Sequence, residues 1–238
     1  MKKILCAILC FNNEKTLLKV IKNTKKILNK CDLIFINDGS FDKTNEILFS
    51  FNLKTITHKN NLGYGQAMKS AFKYSKKKNY KYLAILPADN QRYVDDLISM
   101  SKIIELSGLD MVVGSKYKLL KKIPLQRKLG NIFFSIIAKY FWNSNIRDVL
   151  SGFKIYRVNS FHKYLNFLPN DYSFDIVLSL IVSLKKMKIH ELDVRCRYGK
   201  YTSSMKGIFK IHKKNIFFIG LMMIINLITF FLRYKSKI

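Results

Sequence analysis

Between residues 4 and 115 the chain alternates short β-rich apolar runs with helical stretches, and nearly every run stops at a polar turn of Asp, Asn, Gly or Ser. The opening run, 4 to 11, is continuously apolar, as in a strand buried on both faces. Leu17, Leu18, Ile21, Ile27 and Leu28 then recur at helical spacing through 14 to 29, and Leu33 to Ile36 forms the next run. A turn at Asp38-Gly39-Ser40, a helix near 42 to 50, a strand near 53 to 57, the glycine turn Asn61-Leu62-Gly63-Tyr64-Gly65 and a helix near 66 to 76 follow. Tyr82 to Leu86 ends in Pro87-Ala88-Asp89, a helix covers about 93 to 106, and Met111 to Val113 stops at Gly114-Ser115. Strand and helix in alternation predict an α/β fold, a mostly parallel sheet with helices on both faces. Ligands of such sheets sit at the carboxyl ends of the strands.

Past residue 120 the alternation fades. Residues 125 to 142 set Arg127 and Lys128 beside Ile132, Phe133, Phe134, Ile136, Ile137, Tyr140, Phe141 and Trp142, a helix with a wide apolar face that suits either a core or a membrane surface. Residues 216 to 232 are apolar except Gly220, Asn226 and Thr229, with basic residues on both sides. As a helix this stretch reaches about 25 Å against a hydrocarbon core of about 30 Å, so it reads as a short span or as a helix lying in the interface. The expected division is one α/β domain over 1–208 and a membrane-associating or short transmembrane helix over 209–238.

Composition narrows the function. Lys and Arg number 43 against 15 Asp and Glu, a formal charge of +28 with 49% hydrophobic residues, which excludes a disordered or collagen-like chain. Such a surplus attracts phosphate, anionic lipid or nucleic acid, though part of it is accounted for by solvated Lys-rich faces. No RNA- or DNA-binding module is present, so a nucleic-acid partner is not expected. Cysteines at 6, 10, 31 and 196 form no CxxC pair and read as small buried hydrophobes in a reducing compartment. His58, His162, His190 and His212 share no ligand spacing and read as surface or satisfied loop residues.

In a chain poor in acids, carboxylates placed immediately after strands are informative. Asp38 closes the second run and Asp89 the fourth, and both emerge on one rim of a parallel sheet. Asp89 with the carboxamide of Gln91 offers hard oxygen ligands to Mg²⁺ or Mn²⁺, with a diphosphate completing the coordination. The structural alternative is an Asx turn at Asp38 and a helix cap at Asp89.

The order of these motifs resembles family 2 glycosyltransferases. Cys10-Phe11-Asn12-Asn13-Glu14 is similar to the first-strand motif Pro-x-Tyr-Asn-Glu-Glu, and Asn37-Asp38-Gly39-Ser40-Phe41-Asp42-Lys43-Thr44 to Asp-Asp-Gly-Ser-x-Asp-x-Thr. Asn61 to Ala67 resembles Asn-x-Gly-x-Gly-x-Ala, and Ala88-Asp89-Asn90-Gln91 falls where the family has Asp-x-Asp-x-Gln. Gly114-Ser115-Lys116, Arg127 with Gly130-Asn131, Asp148 to Lys154, and Glu191 to Arg197 with Ser203 to Lys206 resemble the branch containing dolichyl-phosphate mannose synthase and bacterial polyprenyl-phosphate glycosyltransferases. The resemblance spans about residues 4 to 206.

It implies a GT-A fold, the Rossmann-like fold of nucleotide-diphospho-sugar transferases, with the apolar helix appended. It also implies a nucleotide-diphosphate sugar as donor, inversion at the anomeric carbon, and a polyprenyl phosphate acceptor at the cytoplasmic membrane face, the enzyme being peripheral or single-pass. By matching positions, Phe11, Asn13, Asp38, Gly39, Gly63 and Asp89 would bind the nucleotide, Asp89 and Gln91 the metal, and Lys116, Arg127, Arg197 and Lys206 the acceptor phosphate. An ionised phosphate acceptor needs no strong base, so Asp89, Arg127, Arg197 and Lys206 would act by positioning and charge neutralisation. A saccharide hydroxyl acceptor would need a base, for which Asp148 is the candidate; paired with Arg147 or Arg157 it would instead be structural. Three departures stand out: Leu9 for the usual Pro, Asn13 for a Glu, and Pro87 for the first metal aspartate. A degenerate homologue that binds nucleotide or lipid without catalysis is the remaining alternative.

Overall fold

The computed structural model describes residues 3–116, 125–197 and 216–234. Its centre is a seven-stranded sheet ordered β3-β2-β1-β4-β6-β5-β7, from β1 (Ile4–Cys10), β2 (Cys31–Asn37), β3 (Thr55–Thr57), β4 (Tyr82–Pro87), β5 (Met111–Ser115), β6 (Lys154–Arg157) and β7 (Ile189–Asp193). Only β6 runs antiparallel to its neighbours. Leu5 and Ala7 of β1 enter one core and Ile4, Cys6, Ile8 and Cys10 the other, so both faces of the central strand are buried. That explains the unbroken apolar run at the start of the chain.

Helices α1 (Glu14–Thr24), α2 (Thr44–Ser50) and α4 (Val94–Ser107) contribute to one core; α3 (Tyr64–Lys77), α5 (Leu125–Trp142), α6 (Val158–His162), α7 (Phe174–Leu184) and α8 (Ile216–Tyr234) contribute to the other. The helix read over 14 to 29 ends at Thr24 and tightens into a 3₁₀ turn at Lys25–Ile27. Helix α5 has the expected bounds. The sequence pattern did not disclose β6, α6, α7 or β7. Helix α7 is buried from Phe174 to Val182, so its apolar residues carry no one-sided period. Strand β6 begins with Lys154, whose ammonium is 2% exposed and donates to Asp175 of α7 at 2.5 Å and to the Val149 carbonyl at 3.3 Å. A buried lysine satisfied in this way breaks the apolar signature of a strand.

The C-terminal helix α8 docks on the domain. Met223, Leu227 and Phe230 enter the α3/α7 core, and the Asn226 amide donates to Asp171 (3.0 Å) and Ser173 (2.9 Å). Its other side exposes Leu221, Ile225, Ile228 and Leu232. Among the described residues no helix is long and apolar enough to cross a membrane.

Cys6, Cys10 and Cys31 are buried, and Cys196 is half-buried. Burial, then the charge of Asp42, pushes the Cys10 thiol up; a hydrogen bond with Cys31, then burial, pushes up Cys6. Raised thiols hold little of the reactive thiolate. Iodoacetamide added to the folded protein is therefore expected to modify Cys196 well ahead of the other three, as read by peptide mass mapping. Equal labelling of all four without denaturant would contradict this packing.

Candidate active site

The registers Cys10↔Asn37 and Leu9↔Pro87 bring the ends of β1, β2 and β4 level, and reversed β6 starts from the same rim, directly after Asp148 to Phe153. The first two loops on this rim are stitched together. Asn12 N donates to Ser40 Oγ (3.0 Å), Phe41 N to Asn12 Oδ1 (3.0 Å), Asn13 N to Thr44 Oγ1 (2.8 Å) and Glu14 N to Asp42 Oδ2 (3.0 Å). Phe11 meets the exposed ring of Phe41 edge-on at 6.0 Å. The Asn13 carboxamide accepts from Phe11 N at 2.8 Å, so this residue, which stands in place of a Glu, shapes its own turn.

Asp38 is 4% exposed and its carboxylate gathers the next loop. Oδ1 accepts from Leu62 N (3.0 Å) and meets His58 Nδ1 (2.7 Å); Oδ2 accepts from Gly63 N (2.9 Å) and Asn61 Nδ2 (3.1 Å). The Asx turn here belongs to Asn37, whose Oδ1 accepts from Ser40 N. His58, read from sequence as a satisfied loop residue, is satisfied indeed: its Nε2 lies 2.9 Å from Ser70 Oγ on α3. Gly39 and Gly63 both take positive φ, and a Cβ on either would strike backbone, of Asn60 and Asn61 or of Asn170. These two glycines let three chain segments pack backbone to backbone.

Asp89 and Gln91 are each 6% exposed, on a turn whose Gln91 N donates to Asp89 Oδ1 at 3.0 Å; Asp89 does not cap α4. The 194–197 segment folds over this turn. Arg197 N donates to the Gln91 carbonyl (2.8 Å), its guanidinium lies 3.7 Å from the centre of the Tyr93 ring, and Nη1 reaches Asn90 Oδ1 at 3.4 Å. Arg195 pairs instead with Asp96 at the surface. Asp148 is fully buried, accepting from Lys116 N (2.9 Å) and Asn131 Nδ2 of α5 (2.8 Å); Arg147 pairs with Glu191 and Arg157 with Asp110. Asp148 thus clamps the end of β5 to α5 and pairs with neither arginine. Arg127 lies in the first turn of α5, and Lys206 lies outside the described residues.

The rim therefore brings Phe11, Asn13, Asp38, Gly39, Gly63, Asp89, Gln91, Lys116, Asp148 and Arg197 to one edge of the sheet. Sequence reasoning missed Arg92, which is 6% exposed between the Gln91 turn and Ser151. It also missed Tyr64, whose buried phenol faces Gly152 and is raised by burial, then by the charge of Asp175. Arg92 directly follows the Asp-x-Gln stretch, and that adjacency was the available signal. Among the described residues no cluster of three or more His, Cys, Asp or Glu side chains is placed to hold a metal.

A mostly parallel α/β sheet with its polar loops on one rim is an architecture that nucleotide-diphospho-sugar transferases share with many other α/β proteins, so the fold alone does not give the function. The family model for glycosyl transferase family 2 matches residues 6–165, and the chain belongs to that family and is a glycosyltransferase. An uncharacterized protein of Methanocaldococcus jannaschii is 32% identical over 89% of this chain and 96% of its own. The UDP-N-acetylglucosamine–dolichyl-phosphate N-acetylglucosaminyltransferase of Methanococcus voltae is 24% identical over 84% of this chain and 88% of its own. Among solved structures, glucosyl-3-phosphoglycerate synthase from Mycobacterium tuberculosis, in complex with Mn²⁺, UDP and glucosyl-3-phosphoglycerate, superposes with a TM-score of 0.65. It is 14% identical, the match covers 96% of this chain and 80% of that one, and it establishes the GT-A fold.

Replacing Asp38 by Ala leaves two loop amides and His58 Nδ1 without their acceptor and takes from the Asn61 amide one of its two acceptors on residue 38. The expected loss is about 2–4 kcal/mol in urea unfolding, discounted for water reaching the exposed side of the loop. His58→Ala should cost about 1 kcal/mol. An Asp38→Ala protein as stable as the parent would refute the clamp.

Proposed function

We propose that the protein transfers a sugar from a nucleotide diphosphate to a polyprenyl phosphate at the cytoplasmic face of a membrane, with inversion. The observation that carries the acceptor class is Asp148. The base candidate for a hydroxyl acceptor is fully buried, with an oxygen committed to each of two donors. A phosphate monoester brings its own ionised nucleophile and has no use for such a base. The dolichyl-phosphate enzyme among the relatives supports the same acceptor chemistry.

On this reading Phe11 with Phe41 flanks the base or ribose, Asp38 holds the 58–63 loop beneath the nucleoside, and Asp89 and Gln91 face the diphosphate. One carboxylate beside carboxamide oxygens fits Mg²⁺ or Mn²⁺ carried chiefly by the substrate's own phosphates, because both ions prefer oxygen and keep several non-protein ligands. Asp89 and Gln91 would hold that ion, and the chemistry it supplies when bound is charge neutralisation on the leaving diphosphate. Lys116, Arg127, Arg197 and Lys206 are assigned to the acceptor phosphate, Arg197 being stacked on Tyr93 at the rim. The expected experiment is a donor screen with membranes: label from a UDP- or GDP-sugar enters the lipid phase, and Asp89→Ala abolishes it. Label confined to water-soluble glycan would transfer the assignment to a saccharide acceptor.

Membrane association is supported by two apolar stripes of equal spacing. Leu129, Phe133, Ile136 and Tyr140 are exposed on α5, and Leu221, Ile225, Ile228 and Leu232 on α8, both helices packing against α7. Together with the charge of +28 they suit an anionic lipid surface better than water. Deleting 209–238 would also remove Met223, Leu227 and Phe230 from the core, so surface variants test the idea more cleanly. Ile225→Asp with Ile228→Asp should leave the melting temperature within about 2 °C while lowering cosedimentation with anionic vesicles several-fold. Unchanged sedimentation would assign membrane contact elsewhere.

A further inference from the structure

The rim holds one cation whose environment is unfinished. Arg92 is 6% exposed, yet among the described residues no carboxylate lies within ion-pair distance of it. Nη2 reaches Ser151 Oγ only at 3.5 Å, the guanidinium lies 5.6 Å from the centre of the Phe153 ring, and Nη1 is buried with no hydrogen-bond partner among the described residues. A guanidinium does not shed its proton, so it cannot relieve burial by becoming neutral. Burying it without an anion is unfavourable, and a fold that keeps it there gains something from a bound one.

Its position says which anion. Arg92 directly follows the turn of Asp89 and Gln91, in an antiparallel bridge with Cys196, and Ser151, its weak partner, precedes Gly152, where an added Cβ would lie 3.8 Å from Pro87 Cγ. Arg92 and Pro87 therefore flank the same 151–152 turn. Pro87 stands where the family resemblance has the first metal carboxylate, so this corner has lost an anion and carries a buried cation.

We propose that Arg92 is a phosphate-binding residue of this site, its Nη1 edge receiving a phosphate oxygen, most directly from the donor diphosphate. The proposal rests on the nucleotide-sugar reading above. It assigns to a fixed side chain part of the charge neutralisation that a second metal carboxylate would otherwise organise. The other source of the same chemistry is the phosphate monoester of the acceptor.

The test uses the full chain and two variants, Arg92→Met and Arg92→Lys, with melting temperature and binding measured separately. Because the guanidinium has no carboxylate partner among the described residues, Arg92→Met should melt at or above the parental temperature. Its affinity for UDP or GDP, titrated in EDTA and again in Mn²⁺, should fall about ten- to a hundredfold, while uridine and guanosine bind as before. Arg92→Lys should recover part of the loss. If diphosphate binding is unchanged but the KM for a short-chain polyprenyl phosphate in detergent rises by a similar factor, the phosphate it binds is the acceptor's and the residue assignment holds. Folded variants that bind both phosphates as the parent does would overturn it and leave the glycosyltransferase reading intact. A parent chain that binds neither nucleoside diphosphate nor lipid phosphate would overturn both.

Discussion

The buried carboxylate of Asp38 is the interaction on which the rim depends. It sits at the end of β2 and collects two backbone amides, a carboxamide and an imidazole from the 58–63 segment, which no strand pairing holds. Charge-assisted bonds of this kind are stronger than neutral ones and draw a loop into one conformation. Gly63 then meets Asn170, and Gln66 N donates to the Asn170 carbonyl at 3.1 Å, so the clamp reaches from β2 through the start of α3 into the loop before α7. In a chain with 15 acidic residues against 43 basic ones, buried carboxylates are organisers. Asp148 ties β5 to α5 and Asp175 fixes the ammonium of Lys154 in the same manner.

How much of this was legible follows from what each element does with its polar groups. The first half reads well because β1, β2 and β4 are apolar and end at turns whose Asn, Asp and Gly have no other reason to cluster. The rim follows at once, since parallel strands share a carboxyl end. The second half hides because its polar groups are neutralised by partners remote in sequence. Lys154 makes β6 resemble a loop until Asp175 is seen, and α7 has no polar face from which a period might be read. The sequence read His58 as a surface or satisfied loop residue without disclosing its tie to Asp38, and the only sign of Arg92 was its place directly after the Asp-x-Gln stretch, which says nothing of burial. Asp148, singled out from sequence as a candidate base, accepts from Lys116 N and Asn131 Nδ2, two partners no spacing argument could supply.

The exchange at Pro87 makes physical sense beside the strand it ends. Proline has no N–H for a ladder, and β6 pairs with β4 only as far as Ile85↔Lys154, so the last residue of β4 needs no donor on that side. An aspartate there would add a second negative charge near Asp89, acceptable only with a cation between them. With proline that second charge is absent, and the Arg92 guanidinium, 5.6 Å from the centre of the Phe153 ring, sets a fixed positive charge beside this corner.

If the acceptor is a lipid, as proposed, the geometry also bears on how it meets a water-soluble donor. Helix α8 is held to the domain through Asn226, Asp171 and Ser173, and the adjacent Asn170 is the residue against which Gly63 and Gln66 pack. Helix α8 and the start of α3 are thus both hydrogen-bonded to the 170–173 loop. A tethered domain would sample many orientations above a bilayer and lose entropy each time it engaged a headgroup. On the proposed reading, a docked helix incurs that loss once, in folding, and meets the lipid surface with the rim already in a fixed orientation.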